Sequence, residues 1–233
     1  MKNIEEVKPS IGDIIHTAVK AGISSIPMIG SFASEFYSMV ITPPLEKRKN
    51  EWLNSLAEKV NELEQKQEIL VDNLSKNDLF ITAVLQATQI ALRNHQKEKL
   101  RALRNVVLNT AINTSIEDNK VMMFLQFVDI LTVWHLKILM FLNNPRKWLV
   151  DNKKEFPNLS IGSPAHILEA AFPELKNNRN FYDKIIRDLY LNGLINIESL
   201  HITMSSDGMY ASRTTEFGKE FIEFIQSPLK DNE

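Results

Sequence analysis

From Val121 to Leu142 the chain runs VMMFLQFVDILTVWHLKILMFL, apolar all the way round a helical wheel. A segment this long and this apolar has two homes: a bilayer, or the centre of a folded domain. An Asp or Lys at the centre of a membrane span costs roughly 2.5–3.5 kcal/mol. Asp129 and Lys137 both lie well inside the segment, so the pattern predicts one buried helix, residues 119–142, in a soluble protein. Such a helix must be covered on every side. A chain of 233 residues, 44% apolar, has enough material to cover it.

Composition narrows the function classes. Lys and Arg number 27 against 29 Asp and Glu, a net charge of −2, so there is no strongly basic global field for nucleic acid. Cysteine is absent, which excludes disulfides, thiol nucleophiles and Cys-based zinc sites. Seven glycines and nine prolines are too few for a turn-rich all-β chain. The opening MKNIEEVKPS is of mixed charge and is not a secretory signal, so the expected location is the cytoplasm. A second apolar stretch, Ile14 to Ile41, is charged only at Lys20 and Glu35, with His16 beside them. Pro27 and Gly30 divide it into two expected short helices, 11–24 and 30–41.

The strongest local periodicity follows. Leu53, Leu56, Val60, Leu63, Gln67, Leu70 and Leu74 recur at steps of three and four, an apolar seam broken only by Gln67. It predicts a helix over 45–75. Its partner is a long helix from Asp78 to Asn113, bent near His95, whose Ala83, Ala87 and Ala91 permit close packing. The expected arrangement is an antiparallel hairpin within one chain. Asn113–Asp118 is a polar link and the expected domain boundary. Beyond the central helix, residues 146–163 read as polar and irregular, with Trp148, Phe156 and Pro157 as anchors. Ser163-Pro164 starts a short helix. Another runs from Arg179 to Asn192 and is closed by Gly193. Strand-like spacing covers Leu194 to Ile202, Ser205–Gly208 reads as a hairpin turn, and Met209–Arg213 as the returning strand. Thr214 and Thr215 cap a last helix carrying Phe217, Phe221 and Phe224.

The expected fold class is therefore mainly α: a helical region over 1–115 and a C-terminal module over 119–230. The phrases LYLNGLI (189–195) and TTEFGKEFIEFI (214–225), in the order helix, helix, helix, hairpin, helix, make residues 119–227 resemble a winged-helix domain. That resemblance implies a recognition helix and a wing that contacts phosphates, and its insertion at 146–163 is longer than usual. The N-terminal half resembles bacterial abortive-infection-type helical proteins in its glycine-broken apolar segment and the junction PPLEKRKNEW. This implies, as the alternative function, a membrane-acting or antiphage effector.

No catalytic pattern emerges. The five histidines lie in five separate segments without the spacing of H-E-x-x-H, and no nucleophile elbow, Walker loop or dinucleotide fingerprint is present. Ser227–Lys230 has S-x-x-K spacing but lies at the charged tail. His135 reads as a core histidine bonded to backbone or to Asp129. No enzyme activity, no metal and no cofactor is expected. Two basic sets remain as binding candidates. Arg93, Lys97, Arg101 and Arg104 share one helix face and suit phosphates of nucleic acid or anionic lipid. Pairing with Glu51, Glu58, Glu62, Glu64 and Glu68 across the hairpin would neutralise them, and is the favoured expectation. Arg179, Asn180, Lys184 and Arg187, with Arg213 on the wing, form the second set. Asp183, Asp188, Glu198 and Asp207 offset it. The expected function is non-enzymatic binding through the winged-helix module. DNA and a protein are considered equally as its partner, and an anionic membrane comes third.

Overall fold

The computed structural model describes residues 42–66, 69, 71–113 and 115–229. The expected helices within 11–41, and the tail lysine of the S-x-x-K match, lie outside the described residues. The described chain is mainly helical, with one small two-stranded antiparallel sheet. It divides into two compact units. Unit 1 takes the residues up to Asp129 together with those from Ile225 onward, and unit 2 runs from Ile130 to Phe224. The division therefore falls inside the expected central helix, not at the polar link 113–118.

Unit 1 is built on α1 (Thr42–Gln65), a single turn α2 (Val71–Leu74), α3 (Asp78–Arg93), α4 (Lys97–Ile112) and most of α5 (Asp118–Ile130). The seam of α1 is the expected one: Leu53, Leu56, Val60 and Leu63 are all at most 2% exposed. Burying each contributes about 1.5–3 kcal/mol. The helix ends at Gln65, the seam positions Gln67 and Leu70 lie outside the described residues, and Leu74 is buried from a separate turn. The long helix expected over 78–113 is two helices. Asn94, extended at φ −111° and ψ 144°, breaks it, and its side-chain amide donates to Ile90 O (2.8 Å) and closes α3. The alanines of α3 are buried as expected, and they lie in the helix that α4 packs against. The result is α1, α3 and α4 packed together instead of a two-helix hairpin. Trp52 Nε1 donates to Thr88 Oγ1 (2.9 Å) inside this core. Asn105 and Asn109 donate to the carbonyls of Ile225 and Gln226, satisfying groups at the end of the last helix.

Unit 2 contains α6 (Val133–Asn143), α7 (Pro145–Asp151), β1 (Ile161–Gly162), α8 (Pro164–Ala171), a 3-10 turn (Pro173–Leu175), α9 (Arg179–Leu191), β2 (Met204–Ser205), α10 (Ser206–Met209) and α11 (Glu216–Ile225, its last residue in unit 1). The expected helix 119–142 is thus broken at Leu131–Thr132. A capping box explains the break: Thr132 caps the third residue of α6, and the His135 ring accepts from Thr132 N (3.2 Å). The stretch 146–163 is not wholly irregular. Asn144 caps Lys147 N (3.0 Å), Pro145 sits at the first helical position, and α7 follows. All-round apolarity of 119–142 does not mean cover on all sides, since Met123, Ile130 and Met140 are 43%, 55% and 42% exposed.

The expected hairpin at Ser205–Gly208 is not formed. Ser205 Oγ accepts from Gly208 N, so Ser-Ser-Asp-Gly starts one helical turn, α10, instead of a β-turn. β2 pairs with β1 (Ile161 opposite Ser205, Gly162 opposite Met204) and not with the segment 209–213. The base of the loop does close: Ile195 bridges Thr214, and Asn196 N donates to Arg213 O (2.8 Å). Gly193 takes the left-handed conformation (φ +70°) that ends α9.

Candidate functional site

The second basic set lies on α9, and its charges are mostly consumed on that helix. Arg179 Nε meets Asp183 Oδ2 at 3.2 Å, and Lys184 Nζ meets Asp188 Oδ1, each four residues on. Asp188 also faces His135 Nε2 at 3.4 Å. Because Thr132 N–H donates to His135 Nδ1, the ring proton sits on Nε2 and points at this carboxylate. His135 is therefore bonded to backbone as expected, with Asp188 in place of Asp129. Burial pushes the Asp188 carboxyl up, but hydrogen bonds from Lys184 and His135 outweigh it and hold it below its ordinary range. Asp183 takes a further bond from His201 Nε2 at 2.8 Å. Arg187 is exposed and forms no ion pair among the described residues, and Asn180 is exposed beside it. Arg213 is no surface wing residue. It is half-buried, and its guanidinium donates to Gly208 O and contacts Met204 Sδ, bracing the loop from inside.

The titratable groups around α9 make a structural cluster. Tyr182, buried on α9, donates to Glu169 Oε1 (2.8 Å) and stacks on His201 with ring centroids 5.7 Å apart. Burial, then the bond to Glu169, raise the phenol far above its ordinary value, so it is no base. The cluster fastens α8 and the 199–201 loop to α9. Among the described residues no three His, Asp or Glu side chains converge to hold a metal ion.

The same unit presents aromatic surface, drawn from the expected core helix, from the expected anchor Trp148 and from α9. Trp134 on α6 packs edge-on against Phe172 (5.7 Å) and Phe181 (6.3 Å), and Phe172 meets Trp148 of α7 at 4.7 Å. Phe141 lies buried beneath, 5.5 Å from Trp148. Phe181 is exposed, and Trp134 and Trp148 are half-exposed. Lys137 Nζ stands 5.4 Å over the Trp134 ring. Helical spacing alone could not separate this rim from the core, because Trp134 and Phe141 lie on one face of α6. The covering element, α9, comes from far along the chain and covers only part of that face.

The first basic set is split by the fold. Arg93, at the end of α3, pairs with Asp129 Oδ2 at 3.0 Å. Nearby Lys99 is buried and donates to Asp129 O at 2.7 Å, and burial lowers its pKa. Lys97, Arg101 and Arg104 stay together on α4 and line a cleft of about 390 Å³ with Arg48 and Glu51 of α1. Of these, Arg104 reaches α1 through Ser55 Oγ, and Lys97 and Arg101 form no ion pair with the α1 glutamates among the described residues. Glu51 lies 3.8 Å from Lys47 on α1, and Glu62 lies between Lys59 of α1 and Lys66 just beyond its end. The chain matches no family model, no curated protein and no solved structure.

Proposed function

We propose that the protein is a non-enzymatic binding protein whose second unit is a winged-helix-like module that docks a partner protein. The order α6, α8, 3-10 turn, α9, closed loop, α11 supports the winged-helix reading, as does the fastening of the loop after α9 by Ile195–Thr214 and by β1–β2. One observation carries the choice of a protein over DNA. Asp183 and Asp188 occupy Arg179 and Lys184 on their own helix, and Arg213 is turned inward. A DNA reader spends such cations on phosphates and base edges. The Trp134–Trp148–Phe181 rim offers instead what protein interfaces concentrate at their energetic centres: large aromatic anchors beside a cation.

A titration of labelled duplex DNA at low ionic strength tests the choice. Replacing Arg179, Lys184 and Arg187 together by alanine changes fold stability by no more than about 0.5 kcal/mol per exposed site. The expected result is that any duplex affinity of the parent, and its salt slope, survive the replacement. Loss of affinity with a flattened salt slope would restore the DNA reading.

A further inference from the structure

The cleft on unit 1 has the composition of an anion site. Arg48 on α1 and Lys97 and Arg101 on α4 line it, and all three are exposed and form no ion pair among the described residues. Arg104 stands further along the same face, its Nη1 donating to Ser55 Oγ. Glu51 is the one carboxylate among the lining residues, and its nearest cation is Lys47 on its own helix. The cleft is therefore electropositive although the whole chain is slightly acidic.

A second feature points the same way. α4 begins at Lys97, and its N-cap, Gln96, makes no side-chain bond to the first-turn amides. Asn94, His95 and Lys97 all line the cleft, so the uncapped end of a 16-residue helix lies at its edge. The positive end of the helix, which also holds Glu98 in its first turn, favours an anion there. The remaining wall is apolar, formed by Trp52, Ala91 and Leu100. The Trp52 indole N–H is already committed to Thr88, so Trp52 offers the cleft no free donor. A concavity of this size takes a nucleotide-sized molecule, not a duplex.

We propose that this cleft binds a small molecule carrying two or more linked phosphates. Arg48, Lys97 and Arg101 contact the phosphates beside the α4 N-terminus, and any organic part rests on Trp52 and Leu100. Linked phosphates suit the site better than one, because three separated cations can each meet a different group.

Calorimetric titration of the full chain with tripolyphosphate and, separately, with a nucleoside triphosphate tests this, with sulfate as the control anion. Saturable one-to-one binding of at least one polyphosphate, well above sulfate in affinity, is expected. Tighter binding of the nucleotide identifies a nucleoside as the bearer, and tighter binding of tripolyphosphate identifies the free anion. Lys97→Glu with Arg101→Glu should weaken binding by about tenfold or more. Lys97→Gln with Arg101→Gln should also weaken it, without reversing charge, and its unchanged thermal melt would show the fold intact. Equal affinity in parent and glutamine variant, or no preference over sulfate, would overturn the proposal.

Discussion

At Gly218 a side-chain carbon would lie 2.0 Å from the carbonyl oxygen of Leu194. The obstacle is backbone, so no rotamer change relieves it. Gly218→Ala should destabilise unit 2 by about 2–4 kcal/mol, read as a large fall in denaturation midpoint. Gly193→Ala meets nothing within 4 Å but must hold φ near +70°, a strain of roughly 1–2 kcal/mol. It should be the milder of the two. Gly193 was legible in the sequence because it ends a helix. Gly218 was not, since nothing within its own helix shows which carbonyl passes over it.

Asp188 makes a pH prediction at the same scale. Its bonds from Lys184 and His135 leave its folded-state pKa below the unfolded value, after burial has worked in the opposite direction. A depressed carboxylate contributes stability above its unfolded pKa of about 3.9 and loses it as pH falls through the folded value. Asp188→Asn should therefore cost about 1–2 kcal/mol at neutral pH and lose less stability than the parent on acidification. Urea melts at neutral and acid pH check both. An unchanged acid limb would mean that the two bonds do not hold in solution.

Among the elements, those with period and caps together were legible, and those that depended on a distant partner were not. The Leu53–Leu63 part of the α1 seam, the α8 start at Ser163-Pro164 and the Gly193 stop all appear as the pattern predicts. The break at Thr132 was present in the residues as a capping box, but with histidine where glutamate or glutamine is the usual sign. Ser205–Gly208 fits a turn and a helix cap equally well, and pairing between β1 and β2 selected the helix. Leu63 tests the seam. It is fully buried in α1, so Leu63→Asp places an unpaired charge in the core at a cost of about 3–5 kcal/mol. Unit 1 should lose its cooperative melt. If the variant chain stays folded and only an assembly dissociates, the seam faces another chain.

For the molecule as a whole, the two basic sets exchange the roles that composition suggested. Arg179 and Lys184 on α9 are paired within their helix, whereas Lys97 and Arg101 in the cleft form no ion pair among the described residues. The sequence placed Asp183 and Asp188 near Arg179 and Lys184, so neutralisation of α9 could be read from i,i+4 spacing. The freedom of Lys97 and Arg101 could not be, because it depends on which face α1 turns toward α4. No described single helix is long and apolar enough to cross a membrane.

The proposed docking of a protein on the aromatic rim of unit 2 can be read in cells. Photocrosslinking tests it most directly, with a light-activated residue in place of Phe181 in cells that make the protein, and the same residue in place of exposed Lys154 as control. A discrete protein adduct is expected from position 181 that position 154 does not give, and that the unlabelled parent competes away. A nucleic-acid adduct from position 181, or no adduct beyond the control, would contradict it.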